Sequence, residues 1–311
     1  MISVKQIIMK PIFLISLIFI ALIFHNAVIM GTTSGLLLWY RTLVPALLPF
    51  IIITNALSET HAYNKISNNL RKYIPYIYGY STIFLGNLCG YPIGAKILND
   101  FVSDNHLSFD EANSLLSFSS QASPMFLLGY VYPLLNQGSL TIFEFLSLIY
   151  IPNIILYLLY RTINCIHISN DIINDNYEGT VKKNIKEPQS INLSGTFMQA
   201  VNIIVIIGVY VIIFSIILNI LMPVTHNNTA KCLLSYLEIT NGLKMISSIN
   251  IPDEIKTGLI LSVSSFGGLC TAFQIKSVLT YSGASIKKYL RDKIILSAGT
   301  LVLTMIYISF D

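Results

Sequence analysis

The stretch FMQAVNIIVIIGVYVIIFSIILNIL, Phe197 to Leu221, contains no Asp, Glu, Lys or Arg. At a helical rise of ~1.5 Å per residue it is long enough to cross the ~30 Å hydrocarbon core of a bilayer with its backbone polar groups bonded internally. The rest of the chain agrees: of 311 residues, 54% are hydrophobic and only 11% charged, a balance that excludes an ordinary soluble domain. The partner of this chain is therefore the lipid bilayer. Nineteen basic and fifteen acidic residues, scattered along the loops at a net charge of +4, form no nucleic-acid footprint.

Working outward from Phe197, further apolar runs cover Pro11 to Met30, Leu36 to Leu57, Glu111 to Leu135, Thr141 to Tyr160, Glu254 to Tyr281 and Asp292 to Phe310. Two more, Tyr78 to Val102 and Thr229 to Ile249, are interrupted by Gly90-Tyr91-Pro92 and by Glu238 to Gly242. On shape alone each is a re-entrant hairpin or an ordinary kinked span. The positive-inside rule favours hairpins, because a full crossing at 229–249 would turn Lys287, Lys288, Arg291 and Lys293 outward. The expected fold is all-α and polytopic, with about seven transmembrane helices and two re-entrant hairpins in two inverted repeats. Residues 1–35 read as a signal-anchor helix, a cleaved signal peptide being the alternative. A first membrane repeat at 36–162 holds hairpin 78–102 and broken span 111–135. A polar cytoplasmic linker at 163–195 leads to a second repeat at 196–311, with hairpin 229–249 and broken span 254–281. The same count sets the N-terminus in the cytoplasm and the C-terminus outside, with the uncharged loop Asn136-Gln137-Gly138 outside and the basic loop Lys65, Arg71 and Lys72 inside.

The repeat rests on an order of features. Each half has a hairpin with Gly and Lys beyond its tip (Gly94-Ala95-Lys96; Gly242-Leu243-Lys244), then Asp-Glu (Asp110-Glu111; Asp253-Glu254), then a hydroxyl-rich break at Ser117 to Pro124 or Ser262 to Cys270. Interrupted helices leave backbone groups unpaired and aim helix dipoles at the gap, which suits an ion or polar solute. The candidate solute-binding residues are Gly90, Tyr91, Gln121, Ser123, Glu238, Asn241, Ser265 and Gly268; Ser117, Ser119 and Ser120 are candidate ion ligands, with back-bonding to their own helix the competing reading. Glu238 leads, since a carboxylate at membrane depth costs several kcal/mol unless paired or wet.

Gly90 to Lys96, Leu237-Glu238-Ile239-Thr240-Asn241-Gly242 and Phe266-Gly267-Gly268-Leu269 resemble the YlbJ-type sporulation integral membrane protein family, from about Leu36 to the C-terminus. The resemblance implies membership of the nucleoside-recognition, or Gate, superfamily and a role in spore cortex formation. More distantly, the order of hairpins and broken spans is similar to concentrative nucleoside transporters. In those, the first hairpin tip carries Gln-Thr-Glu; here it is Tyr91-Pro92-Ile93, without a carboxylate. Glu238 matches their second-half glutamate by position.

Lys96 and Lys244 read as snorkelling anchors, the Asp-Glu pairs as charges at helix starts, Trp39 as an interfacial belt residue, and Pro45, Pro49 and Pro152 as kinks. Cys89, Cys165, Cys232 and Cys270 have no CxxC or metal-ligand spacing, and GxSxG, HExxH and phosphate-loop motifs are absent. The expectation is a non-enzyme without cofactor, moving an unknown small polar solute with sodium or proton as a compatible coupling ion. A non-transporting structural or signalling component of sporulation is the alternative, and a homo-oligomer is compatible with either.

Overall fold

The computed structural model describes residues 15–59, 73, 76–135, 140–163, 193–225, 227–281 and 283–310. The start of the expected signal anchor, the basic loop at Lys65 to Lys72, the loop at Asn136 to Gly138 and nearly all of the 163–195 linker lie outside these residues.

All elements are helical among the described residues. They are α1 (His25–Leu38), α2 (Val44–Glu59), α3 (Ile77–Cys89), α4 (Ile93–Ser103), α5 (Phe109–Leu115) and α6 (Pro124–Leu134) in the first half, closed by α7 (Ile142–Ile163). The second half comprises α8 (Leu193–Leu221), α9 (Asn228–Leu234), α10 (Ile239–Ser248), α11 (Asp253–Phe266), α12 (Leu269–Val278) and α13 (Ile286–Phe310). Each half thus runs in one order: a long helix, a helix–break–helix segment, a second broken pair, and a long helix.

Among the described residues, five segments are long and apolar enough to cross a membrane: His25–Leu57, Ile142–Thr162, Ser194–Leu221, Asp253–Val278 and Ile286–Phe310. The fourth is enclosed by protein, with 83% of its apolar window buried, whereas the other four turn most of theirs outward. Broken helices with imperfect backbone bonding are sheltered inside, and regular ones face lipid.

The first two expected spans are joined. Gly31 to Gly35 is no turn: residues 25–57 form one rod interrupted only by a π turn at Trp39–Leu43. The reason is packing. A Cβ on Gly31 would lie 2.5 Å from the Ile216 Cα, and one on Gly35 2.8 Å from the Ile212 Cα, so the two glycines let α1 and α8 approach backbone to backbone. The contact runs antiparallel along both helices. Trp39 Nε1 donates to the Ile204 carbonyl at 2.8 Å and its ring covers Gly208, so Trp39 belongs to this helix contact rather than to an interfacial belt. The π turn directly precedes Pro45, which has no N–H to offer the preceding turn.

Candidate functional site

The first break is the tip between α3 and α4. Gly90 has φ +83°, open to glycine at little cost, and the Tyr91–Pro92 bond is cis. The Tyr91 N–H donates to the Gln121 carbonyl at 3.1 Å, which ties the tip to the extended segment between α5 and α6. Gly86 and Gly94, on either side of the tip, both face the Ser119 carbonyl oxygen; a Cβ on either would fall within about 2.1 Å of it. Helix α7 bonds three more groups of the segment. Asn153 Nδ2 donates to the Phe118 carbonyl at 3.0 Å, Tyr150 Oη to the Ala122 carbonyl at 2.8 Å, and Gln121 Nε2 to Asn153 Oδ1 at 3.2 Å. Ser123 caps α6 by accepting from the Phe126 N–H.

The second break lies at Ser235 to Glu238, one turn earlier than the sequence suggests, because Thr240, Asn241 and Gly242 already belong to α10. Glu238 is the N-cap of that helix. Its carboxylate accepts from the Thr240 N–H at 3.0 Å, the Asn241 N–H at 2.8 Å, the Thr240 hydroxyl at 2.7 Å and Asn241 Nδ2 at 3.0 Å. Between α11 and α12 the chain is broken only at Gly267 and Gly268, both at φ +87°; Ser262, Ser264 and Ser265 remain helical. The first amides of α12 then donate to the other break, Leu269 N–H to the Tyr236 carbonyl at 2.8 Å and Cys270 N–H to that of Leu237 at 2.9 Å.

The two halves meet at these breaks. The Tyr91 ring lies against Gly267, and Tyr130 Oη donates to the Thr240 carbonyl at 2.8 Å. Helix α13 spans both: Ser117 Oγ donates to Asp292 Oδ2 at 3.3 Å, and the neighbouring Lys293 Nζ donates to the Ser265 carbonyl at 3.3 Å. Thr300 Oγ1 donates to Ser265 Oγ at 2.9 Å, and Asn241 Nδ2 to Ser215 Oγ at 2.7 Å. Gly90, Tyr91, Gln121 and Ser123 therefore form one group, Glu238, Asn241 and Gly268 a second, and Ser117 and Ser265 are linked through α13. Of the candidate ion ligands, Ser119 Oγ turns back to the Leu116 carbonyl at 3.4 Å, while Ser120 Oγ is buried without a hydrogen-bond partner. Among the described residues the Tyr91 hydroxyl and Gln121 Oε1 are buried without a hydrogen-bond partner as well.

The chain is similar to the sporulation integral membrane protein YlbJ of Bacillus subtilis (strain 168), 21% identical over an alignment covering 89% of this chain and 76% of that protein. The similarity supports the YlbJ-type family. No family model and no solved structure matches the chain.

The residues that sequence reasoning passed over are Lys293 and Asn153. Lys293 counted as a loop charge beside Lys287, Lys288 and Arg291; it is instead 1% exposed, nearly two turns inside α13. The signal was its spacing. Tyr289, Lys293, Ser297, Thr300 and Thr304 recur at helical intervals and make one buried polar face. Lys96 and Lys244 also part company: Lys96 Nζ donates to Asn55 Oδ1 at 2.6 Å and pairs with Asp100 at 3.6 Å, whereas Lys244 is exposed.

Proposed function

We propose that this chain is a non-enzymatic, carrier-type protein of a bacterial cell membrane that moves a small polar solute in sporulation, using the two sets of chain breaks as its solute site. Sporulation comes from the similarity to YlbJ, a sporulation integral membrane protein. The observation that carries the solute site is Lys293, buried to 1% with a single hydrogen bond to a carbonyl and no ion-pair partner among the described residues. Burying an ammonium costs several kcal/mol unless an opposite charge or a full set of acceptors meets it. A solute with an anionic group supplies that partner; the Tyr289 ring centroid lies 5.8 Å from Nζ, and Tyr91, Ser120 and Gln121 of the first set of breaks carry buried polar atoms without a hydrogen-bond partner among the described residues. The matching order of the two halves and the antiparallel pairing of α1 with α8 support a reading as inverted repeats. With 25–57 read as one crossing, the charge count supports a reading with the basic loop, the linker and the start of α13 in the cytoplasm and the end of α13 outside.

The competing reading, a membrane component of sporulation that transports nothing, is favoured by one observation: the breaks are packed shut. The space beside Gly90 and Tyr91 is about 10 Å³, near the lower limit for one water. Complementation of a deletion strain separates the two. Lys293→Met is expected to reach the membrane at the wild-type level and lose at least ten-fold in spore yield, with Lys293→Arg retaining part; full complementation by Lys293→Met would remove the basis of the carrier reading.

A further inference from the structure

Helices α7 and α13 run antiparallel and leave a groove of about 520 Å³ between them, lined by Pro152, Ile155, Leu159, Ile295, Gly299 and Val302 among other apolar residues. The groove is almost wholly apolar and opens away from the protein core: Ile155, Leu159, Ile295 and Val302 are 47–57% exposed. From Ile295 to its far end at Ile306 it extends ~16 Å at ~1.5 Å per residue, the depth of one leaflet of a ~30 Å hydrocarbon core.

One end of the groove is cationic. Beyond Leu159 and Ile295 lie Tyr160 and Arg161 at the end of α7, and Lys287, Lys288 and Arg291 at the start of α13. The two ends are in contact, with Lys288 Nζ 5.1 Å from the Tyr160 ring centroid. Arg291 is paired with Asp292 at 2.7 Å. Arg161, Lys287 and Lys288 have no ion-pair partner among the described residues; Arg161 donates to the Tyr80 hydroxyl and Lys288 to Ser114 Oγ. Uncompensated cations at a membrane interface, above an acyl-deep apolar groove, match the two ends of an anionic phospholipid.

We infer that the α7–α13 groove is a binding site for an anionic phospholipid, one acyl chain lying between Pro152 and Gly299 and the phosphate on Arg161, Lys287 and Lys288. This inference is independent of the transport reading. Gly299 offers a test, because a Cβ there meets nothing within 4 Å: Gly299→Leu extends an apolar side chain from open space into the groove and improves helix propensity.

The experiment is native mass spectrometry of the purified full chain titrated with phosphatidylglycerol or phosphatidylcholine of identical acyl composition. The wild type is expected to retain phosphatidylglycerol at least ~5-fold more tightly, about the effect of one basic residue near a charged lipid surface. Gly299→Leu should lose bound lipid of both kinds, with unchanged thermal unfolding. The triple variant Arg161→Gln, Lys287→Gln, Lys288→Gln should keep lipid but lose the preference. Equal retention of the two lipids by the wild type, or unchanged lipid on Gly299→Leu, would overturn the assignment. So would a lipid-independent dimer that Gly299→Leu dissociates, since the groove would then be a contact between two copies.

Discussion

Glu238 and Lys293 are both 1% exposed and both stand at chain breaks of the second half, yet the protein treats them in opposite ways. The carboxylate is saturated by its own helix, with two amides, a hydroxyl and a carboxamide within 3.0 Å. The ammonium has one carbonyl at 3.3 Å. A buried charge whose partners come from the next three residues is explained by local folding; one with a single carbonyl and an aromatic ring 5.8 Å away is short of partners until something else arrives. Burial alone therefore does not mark a binding residue, and the state of its hydrogen bonds does.

The comparison breaks first at Glu238. If the carboxylate is a cap, Glu238→Ala strands the Thr240 and Asn241 donors in a buried setting and is expected to cost about 3 kcal/mol or more. Glu238→Asp, also a preferred capping residue, should cost less than about 1 kcal/mol. Thermal unfolding in detergent reads both, and equal loss in the two variants would show that side-chain length at the tip matters more than the cap. A smaller effect is expected at the glycines that close the two tips. Gly94→Ala and Gly242→Ala drive a Cβ to about 2 Å from the Ser119 and Ser235 carbonyl oxygens, so each should destabilise by about 1–3 kcal/mol. Gly129→Ala, with nothing within 4 Å, should leave unfolding unchanged and calibrates the pair.

The positions of the breaks were legible because glycine, proline and hydroxyl residues stand out within apolar runs, and Gly90 to Pro92 and Gly267-Gly268 fall where that pattern put them. Gly31 to Gly35 was misleading for the same reason. Glycines and hydroxyls one turn apart also make the small face on which two helices touch, and a one-dimensional pattern does not separate a turn from such a face. Trp39 had the same ambiguity, since a tryptophan near a helix end suits either an interface or a groove in a neighbouring helix. Lys293 escaped because α13 begins at Ile286, well before its apolar run, so a residue counted with the loop charges lies inside a packed helix. Which buried donors lack partners depends on contacts across α7, α11 and α13, and no local pattern encodes them.

A carrier with its solute site at these breaks, closed in this structure, opens them to water in turn. This is tested most directly by single-cysteine labelling in a cysteine-free background, with Ser120→Cys in the first half and Ser265→Cys in the second, probed in membranes with impermeant thiol reagents from each side. The account predicts that both positions label despite being fully buried here, each preferentially from the opposite face, and that removing the Lys293 charge alters the rates. Absence of labelling at both positions from either side, in protein that unfolds at the wild-type temperature, would contradict it.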